Sequence, residues 1–179
     1  MKKLFYSLAA IAIIITSAFT VIKSQDWKIS EDYSIKFTSE DPSGIFKGLK
    51  GTVSFDEKDL TASKFDVTID VTTINTGNGM KNTHAKSEKW LDAAKYPVIS
   101  FTSTEITGTA NGYQAKGTFE IHGVKKEVTI PFTFQKTDNG GIFNSSFEFN
   151  RLDYNINTDE PAHGASVLKI DISVPVTKV

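Results

Sequence analysis

The chain contains no cysteine, which removes disulfides, thiolate nucleophiles, zinc–thiolate sites and the acylated N-terminal cysteine of bacterial lipoproteins together. It also lacks an excess of either charge. Twenty Lys and Arg against 21 Asp and Glu leave a formal net charge of −1, mixed along the length. With no basic face there is no footprint for nucleic acid or for an anionic lipid surface. Catalytic grammar is equally scarce. No Gly-x-Ser-x-Gly elbow occurs, and the glycines between Asn75 and Met80 lack the lysine and the strand-to-helix pattern of a phosphate loop. The three histidines, His84, His122 and His163, stand in separate segments with no His-x-His or His-x-x-x-His spacing, so no metal site is expected. Trp and Tyr are few, two and five, against thirteen Phe. Bulky side chains with no polar handle must face a core or an apolar ligand.

At the N-terminus Lys2 and Lys3 precede an apolar run from Leu4 to Ile22, broken only by hydroxyl residues. That is the charged and apolar layout of an export signal, and it predicts a mature chain in the periplasm or outside the cell. Cleavage after Ala18 or after Ser24 both fit. The competing reading is an uncleaved signal anchor, the one route by which this chain would touch a membrane, because the run is nearly long enough to span one. Residues 1–24 are thus assigned to the signal and 25–179 to a single domain of ordinary size.

The remainder reads as strands. Phe65, Val67, Ile69 and Val71 alternate with Asp66, Thr68 and Asp70, a period of two with one wet face. The same alternation recurs at Tyr113, Ala115, Gly117, Phe119 and Ile121, at Val128, Ile130, Phe132 and Phe134, at Phe143, Phe147 and Phe149, and from Leu168 to Val176. Shorter segments around Ile35–Phe37, Val53–Phe55 and Val98–Phe101, the last with Ile99 at its centre, bring the total to about eight. Turn chemistry at Asp56–Asp59, Asn111-Gly112, His122-Gly123 and Asp138-Asn139-Gly140-Gly141 joins them as sequential hairpins. The expected fold is all-β: an eight-stranded, antiparallel, up-and-down barrel, with a tight sandwich as the alternative. Closure also removes exposed strand edges.

One stretch refuses the strand pattern. Residues 79–94 are rich in Lys, Glu, Ala and Leu and predict a single helix ended by Pro97. Met80, His84, Trp90 and Leu91 would turn an apolar edge of it onto the barrel mouth.

An eight-stranded barrel is just wide enough to be filled by side chains or to hold one slim ligand. Gly117, Ala115 and Ser103 sit on inward parity, where small residues would leave the interior open. Gly117→Phe is then expected to block the interior without unfolding the barrel. Phe37, Phe46, Phe55, Phe101, Phe119, Phe132, Phe134, Phe147 and Phe149 would supply apolar wall. Burying about 400–600 Å² of ligand there is worth on the order of 10 kcal/mol before the cost of ordering it. The same residues serve equally as an ordinary core. His84 has two readings, a headgroup contact or a histidine bonded to a nearby carbonyl. His122, beside a turn glycine, is expected to be solvated. Arg151 and Asp153 would share a face of an extended strand and form an ion pair at the barrel end, with a ligand clamp as the alternative.

The string NGMKNTHAKSEKWLDAAKYPVISF, Asn78 to Phe101, resembles the most recognisable stretch of the YceI-like family of exported lipid-binding proteins. The resemblance is carried by His84, Lys86-Ser87, Trp90-Leu91-Asp92, Lys95-Tyr96-Pro97 and Phe101-x-Ser103. GTFEIHGVKKEV, Gly117 to Val128, and Arg151-Leu152-Asp153-Tyr154 are similar to two further blocks of the family, and the likeness runs from about Asp26 to Val179. It implies a lipocalin-like barrel whose interior holds a polyisoprenoid, a quinone-like molecule or a fatty amphiphile for transport, storage or sequestration. It implies no catalytic activity, no metal and no cofactor beyond the bound lipid. A homodimer is left open. Two departures bear on the mouth: Ser39 to Lys47 lacks the His-Leu/Phe-Gly type segment of many relatives, and Ala85 replaces a larger apolar residue. Two rival readings stand beside this one, a filled barrel acting as an envelope stress or interaction module, and an enzyme that brings His84 to Ser103 or Glu105.

Overall fold

Strand-forming alternation becomes strand pairing along almost the whole chain in the computed structural model, which describes residues 24–159 and 166–179. The N-terminal run through Lys23 and His163 lie outside the described residues. Ten strand segments make one sheet: β1 (Asp26–Ile29), β2 (Ser34–Thr38), β3 (Gly44–Phe46), β4 (Lys50–Ser54), β5 (Lys64–Asp70), β6 (Val98–Thr109), β7 (Gly112–Ile121), β8 (Val124–Thr137), β9 (Gly140–Asn150) and β10 (Val167–Lys178). From β4 to β10 each pairs antiparallel with the next. β10 then pairs with both β1 (Trp27 opposite Lys178) and β2 (Ile172 opposite Ile35), while β1 pairs with β4 and β2 with β3. β1 and β2 are therefore two parts of one stave, as are β3 and β4, and the ring closes as an eight-stranded antiparallel barrel.

The inward parity read from the sequence holds: Ile99, Phe101, Ala115, Phe119 and Ile121 are buried, and Asp66, Gln114, Lys116 and Thr118 are exposed. One end of the barrel is closed by rings. Phe55, 1% exposed, packs edge-on against Tyr113, Phe132, Phe134 and Phe143 at centroid distances of 5.0, 5.5, 5.2 and 5.4 Å. The Trp27 indole N–H caps this cluster by donating to the Phe55 carbonyl at 2.8 Å. Edge-to-face rings of this kind add to the burial of their area.

The opposite end carries the non-strand segment, and here the expected helix is shorter. α1 spans Gly79–Ala85 only. Asn78 caps it through Oδ1, accepting from the Met80 and Lys81 amides at 3.0 and 3.2 Å. Lys86 ends it. The Ser87 hydroxyl donates to the His84 carbonyl at 2.7 Å, and turns continue to Pro97, with Asp92 at φ +42°. Serine competing for a helical carbonyl is the physical reason the run stops early. Among the described residues, no helix is long and apolar enough to cross a membrane.

Candidate ligand channel

Between the aromatic plug and α1 lie two adjoining cavities. The deeper one, about 180 Å³, is walled by Phe65, Val67 and Ile69 of β5, Ile99 and Phe101 of β6, Ala115 and Phe119 of β7, Ile130 and Phe132 of β8, and Phe143, Phe147 and Phe149 of β9. Ile170, Ile172 and Val174 of β10 complete the wall with Ile29, Ile35, Phe46, Leu49 and Val53. Ser100, Asn144 and Ser145 are its polar members. The second, about 100 Å³, lies under the α1 segment among Phe37, Ile74, Ala85, Trp90, Leu91, Ile121, Ile156 and Leu168, with Ser39, Asp41 and Arg151 as polar neighbours. Phe46, Phe149 and Ile170 line both cavities, so the two lie in series as one apolar channel interrupted by those side chains.

The structure thus brings together Phe37, Phe46, Val67, Ile69, Trp90, Leu91, Ile99, Phe101, Phe119, Ile121, Phe132, Phe147, Phe149 and Arg151 around the channel. Ala85, the small residue in α1, lines the outer cavity. Seven expected wall or mouth residues lie elsewhere. Phe55 and Phe134 belong to the plug. Val71 is buried in the 3₁₀ turn Val71–Thr73. Met80, 83% exposed, and His84 stand on the outer side of α1, His84 edge-on to Trp90 at 6.0 Å.

Ser103 and Gly117 correct the reading that small inward residues mean open space. The Ser103 hydroxyl accepts the Phe65 N–H at 2.8 Å where the β6–β7 register shifts between Ser103 and Glu105. A Cβ at Gly117 would stand 2.3 Å from the Thr102 carbonyl oxygen and 2.7 Å from the Ser103 Cα. Gly117 is small because the neighbouring backbone passes against it, and Gly117→Phe would break the barrel rather than fill it.

Arg151 differs from its expected role too. Arg151–Tyr154 is a 3₁₀ turn rather than extended strand. Arg151, 2% exposed, lies over the Trp90 ring at 5.5 Å and donates through Nη1 to the Ile156 and Asn157 carbonyls at 2.7 and 2.8 Å. Burial pushes its guanidinium below the ordinary value. Asp153 faces Lys126 instead, at 3.6 Å. His122 is half-buried: its Nδ1 lies 3.2 Å from the Tyr154 carbonyl and its ring 5.1 Å from Tyr96. No hydrogen bond joins His84 to Ser103 or Glu105 among the described residues; Ser103 is engaged inside the wall and His84 is exposed. The described residues hold no group of three or more His, Asp or Glu placed around a metal position.

Phe143 was missed as a wall residue, although it alternates in register with Phe147 and Phe149; parity gave its direction but not its height along the barrel. Ile130, Ile170 and Ile172 were visible only as strand positions.

A closed antiparallel barrel with a largely apolar channel along its axis is the lipocalin-like class of fold. The YceI-like domain matches residues 27–177, and this chain belongs to that family. A UPF0312 protein of Yersinia enterocolitica is 35% identical over 122 residues, 65% of this chain and 64% of the relative. The chain therefore spans less than two thirds of that relative's length. Among solved structures, BcnA of Burkholderia cenocepacia superposes with a TM-score of 0.78 at 24% identity, covering 83% of this chain and 99% of that one. A polyisoprenoid binding domain from Saccharophagus degradans superposes at 0.67 and 15% identity, covering 88% and 100%. At these identities the likeness is one of fold.

Proposed function

We propose that the protein holds one long apolar molecule, a polyisoprenoid, quinone-like or fatty amphiphile, in its interior for transport, storage or sequestration. The observation that carries this reading is the placement of two apolar cavities in series, with only the side chains of Phe46, Phe149 and Ile170 common to both. A core packed to ordinary density leaves few voids larger than a water. An apolar cavity of roughly 150 Å³ stays dry and takes a small hydrocarbon such as benzene, and the deeper cavity here exceeds that with a second in series. Two such spaces in line suit a chain better than a compact ligand. The neighbouring polyisoprenoid binding domain supports the isoprenoid class. On this reading residues 1–24 export the chain, and the ligand stays outside the cytoplasm.

That junction gives the test. Ile170→Trp enlarges a side chain that stands between the two cavities and outside the plug. A folded Ile170→Trp protein should keep its affinity for short chains and lose at least tenfold for chains long enough to occupy both cavities, read by fluorescence titration with alcohols of increasing prenyl number. Equal loss at every length, or none, contradicts a single channel.

A further inference from the structure

Strands β8 and β9 leave the Asp138–Asn139 turn paired and then part. Their register runs from Thr137 opposite Gly140 to Thr133 opposite Asn144 and stops. Above that point β8 stays with β7 as far as Val124 opposite Ile121, and β9 stays with β10 as far as Asn150 opposite Val167. Over Val124–Phe132 and Ser145–Asn150 no backbone pair crosses the seam among the described residues.

The sequence at the seam fits an open edge. The Pro131 carbonyl accepts the Ser145 hydroxyl at 2.7 Å, so the backbone of Pro131 faces β9. In an antiparallel strand the N–H and C=O of a residue point the same way, and Pro131 has no N–H to offer. Proline within a sheet is found where a strand has no neighbour on that side. Lys125, Glu127 and Thr129 share this parity. Along the seam Lys126 adds a contact 3.6 Å from Asp153 and 5.6 Å from the Tyr154 ring, an exposed pair of the kind that contributes little, and His122 Nδ1, 3.2 Å from the Tyr154 carbonyl, marks its far end. The barrel's other interrupted seam, between Trp27–Val53 and Ile35–Phe46, is plugged. There the Tyr33 hydroxyl accepts the Leu49 N–H at 3.0 Å, and Lys47 Nζ reaches the Tyr33 carbonyl at 3.4 Å.

Behind the β8–β9 seam lies the deep cavity itself, walled from one side by Ile130 and Phe132 and from the other by Ser145, Phe147 and Phe149. We propose that this seam is a lateral portal through which an apolar chain passes sideways between the channel and the outside, with the Ser145–Pro131 bond and Lys126 as its latches. The proposal rests on the reading of the channel as a ligand site. A chain longer than the cavities requires their walls to part, and along this run no backbone pair among the described residues holds them together.

Thr129 and Glu148 are both exposed and would face each other were the ladder continued. In a chain with no other thiol, Thr129→Cys/Glu148→Cys, bridged by a short bis-maleimide, ties the seam shut. Stopped-flow fluorescence with all-trans-retinol should show uptake and release slowed at least tenfold in the bridged protein and unchanged in the unbridged double variant. A control bridge at Asp66→Cys/Thr102→Cys, across the continuously paired β5–β6 ladder and lining neither cavity, should leave the rates within about twofold. Rates unslowed by the first bridge, or slowed equally by both, would overturn the portal. Amide exchange of the wild type gives a readout that needs no ligand: Lys125, Glu127 and Thr129 should exchange far faster than Lys126, Val128 and Ile130, which face β7. Equal protection overturns the portal alone. Fast seam amides in a wild-type protein that takes up no retinol would instead sink the ligand reading.

Discussion

Gly117 shows how one residue can be read correctly for direction and wrongly for purpose. Period two placed it inward, and its lack of a side chain suggested space; the space is taken by the backbone of β6, 2.3 Å from where a Cβ would sit. At Gly108, on the neighbouring strand, a Cβ would meet only the Leu60 Cδ1, at 3.8 Å. Gly117→Ala should therefore cost about 1–3 kcal/mol or more in chemical denaturation, as overpacking against fixed neighbours does. Gly108→Ala should be neutral or stabilising by up to about 1 kcal/mol, because glycine weakens a strand interior. Similar losses at both sites would contradict this account of Gly117. Ser103 carries the same lesson, since its hydroxyl accepts the Phe65 N–H one position beyond the last β5–β6 pair, Asp66 opposite Thr102, a role no single-sequence pattern reveals.

At the scale of elements, five strands were legible because their alternation runs long enough to register, and three more as short apolar segments. β1 and β3 were not, being four and three residues, too short for a period of two to stand out; each finishes a stave that another segment begins. The α1 segment was legible as non-strand, while its early end depends on Ser87 turning back to His84. A helix of seven residues is not stable alone, so its ends decide whether it forms. Asn78→Ala removes the acceptor for the Met80 and Lys81 amides and should cost the helix about 1 kcal/mol. Amide exchange should show Asn82 and Thr83 opening several-fold faster, with β6 and β7 unchanged. A loss spread evenly through the barrel would mean that α1 is not a locally held element.

For the whole molecule, closure and inward parity were readable, but height along the barrel axis was not, and that coordinate separates plug from wall. Phe55 and Phe132 look alike in sequence; both touch the plug, yet only Phe132 also faces the cavity. Phe55→Ala removes the ring on which Tyr113, Phe134 and Phe143 converge and should cost about 3–5 kcal/mol. If the variant stays folded, the channel should lengthen toward Gln25, whose carbonyl accepts the Phe55 N–H, and accept longer chains, which the titration used for Ile170→Trp would read. A marginal loss of stability would show that the plug does not hold this end closed.

The central claim, that the interior exists to be occupied, is tested most directly by native mass spectrometry of the protein purified from its source cells without detergent, with organic extraction of whatever it carries. The account predicts a stoichiometric adduct of prenyl or acyl mass, recovered in the organic phase. A bare mass that stays bare after incubation with polyprenols, quinones and fatty acids would contradict it.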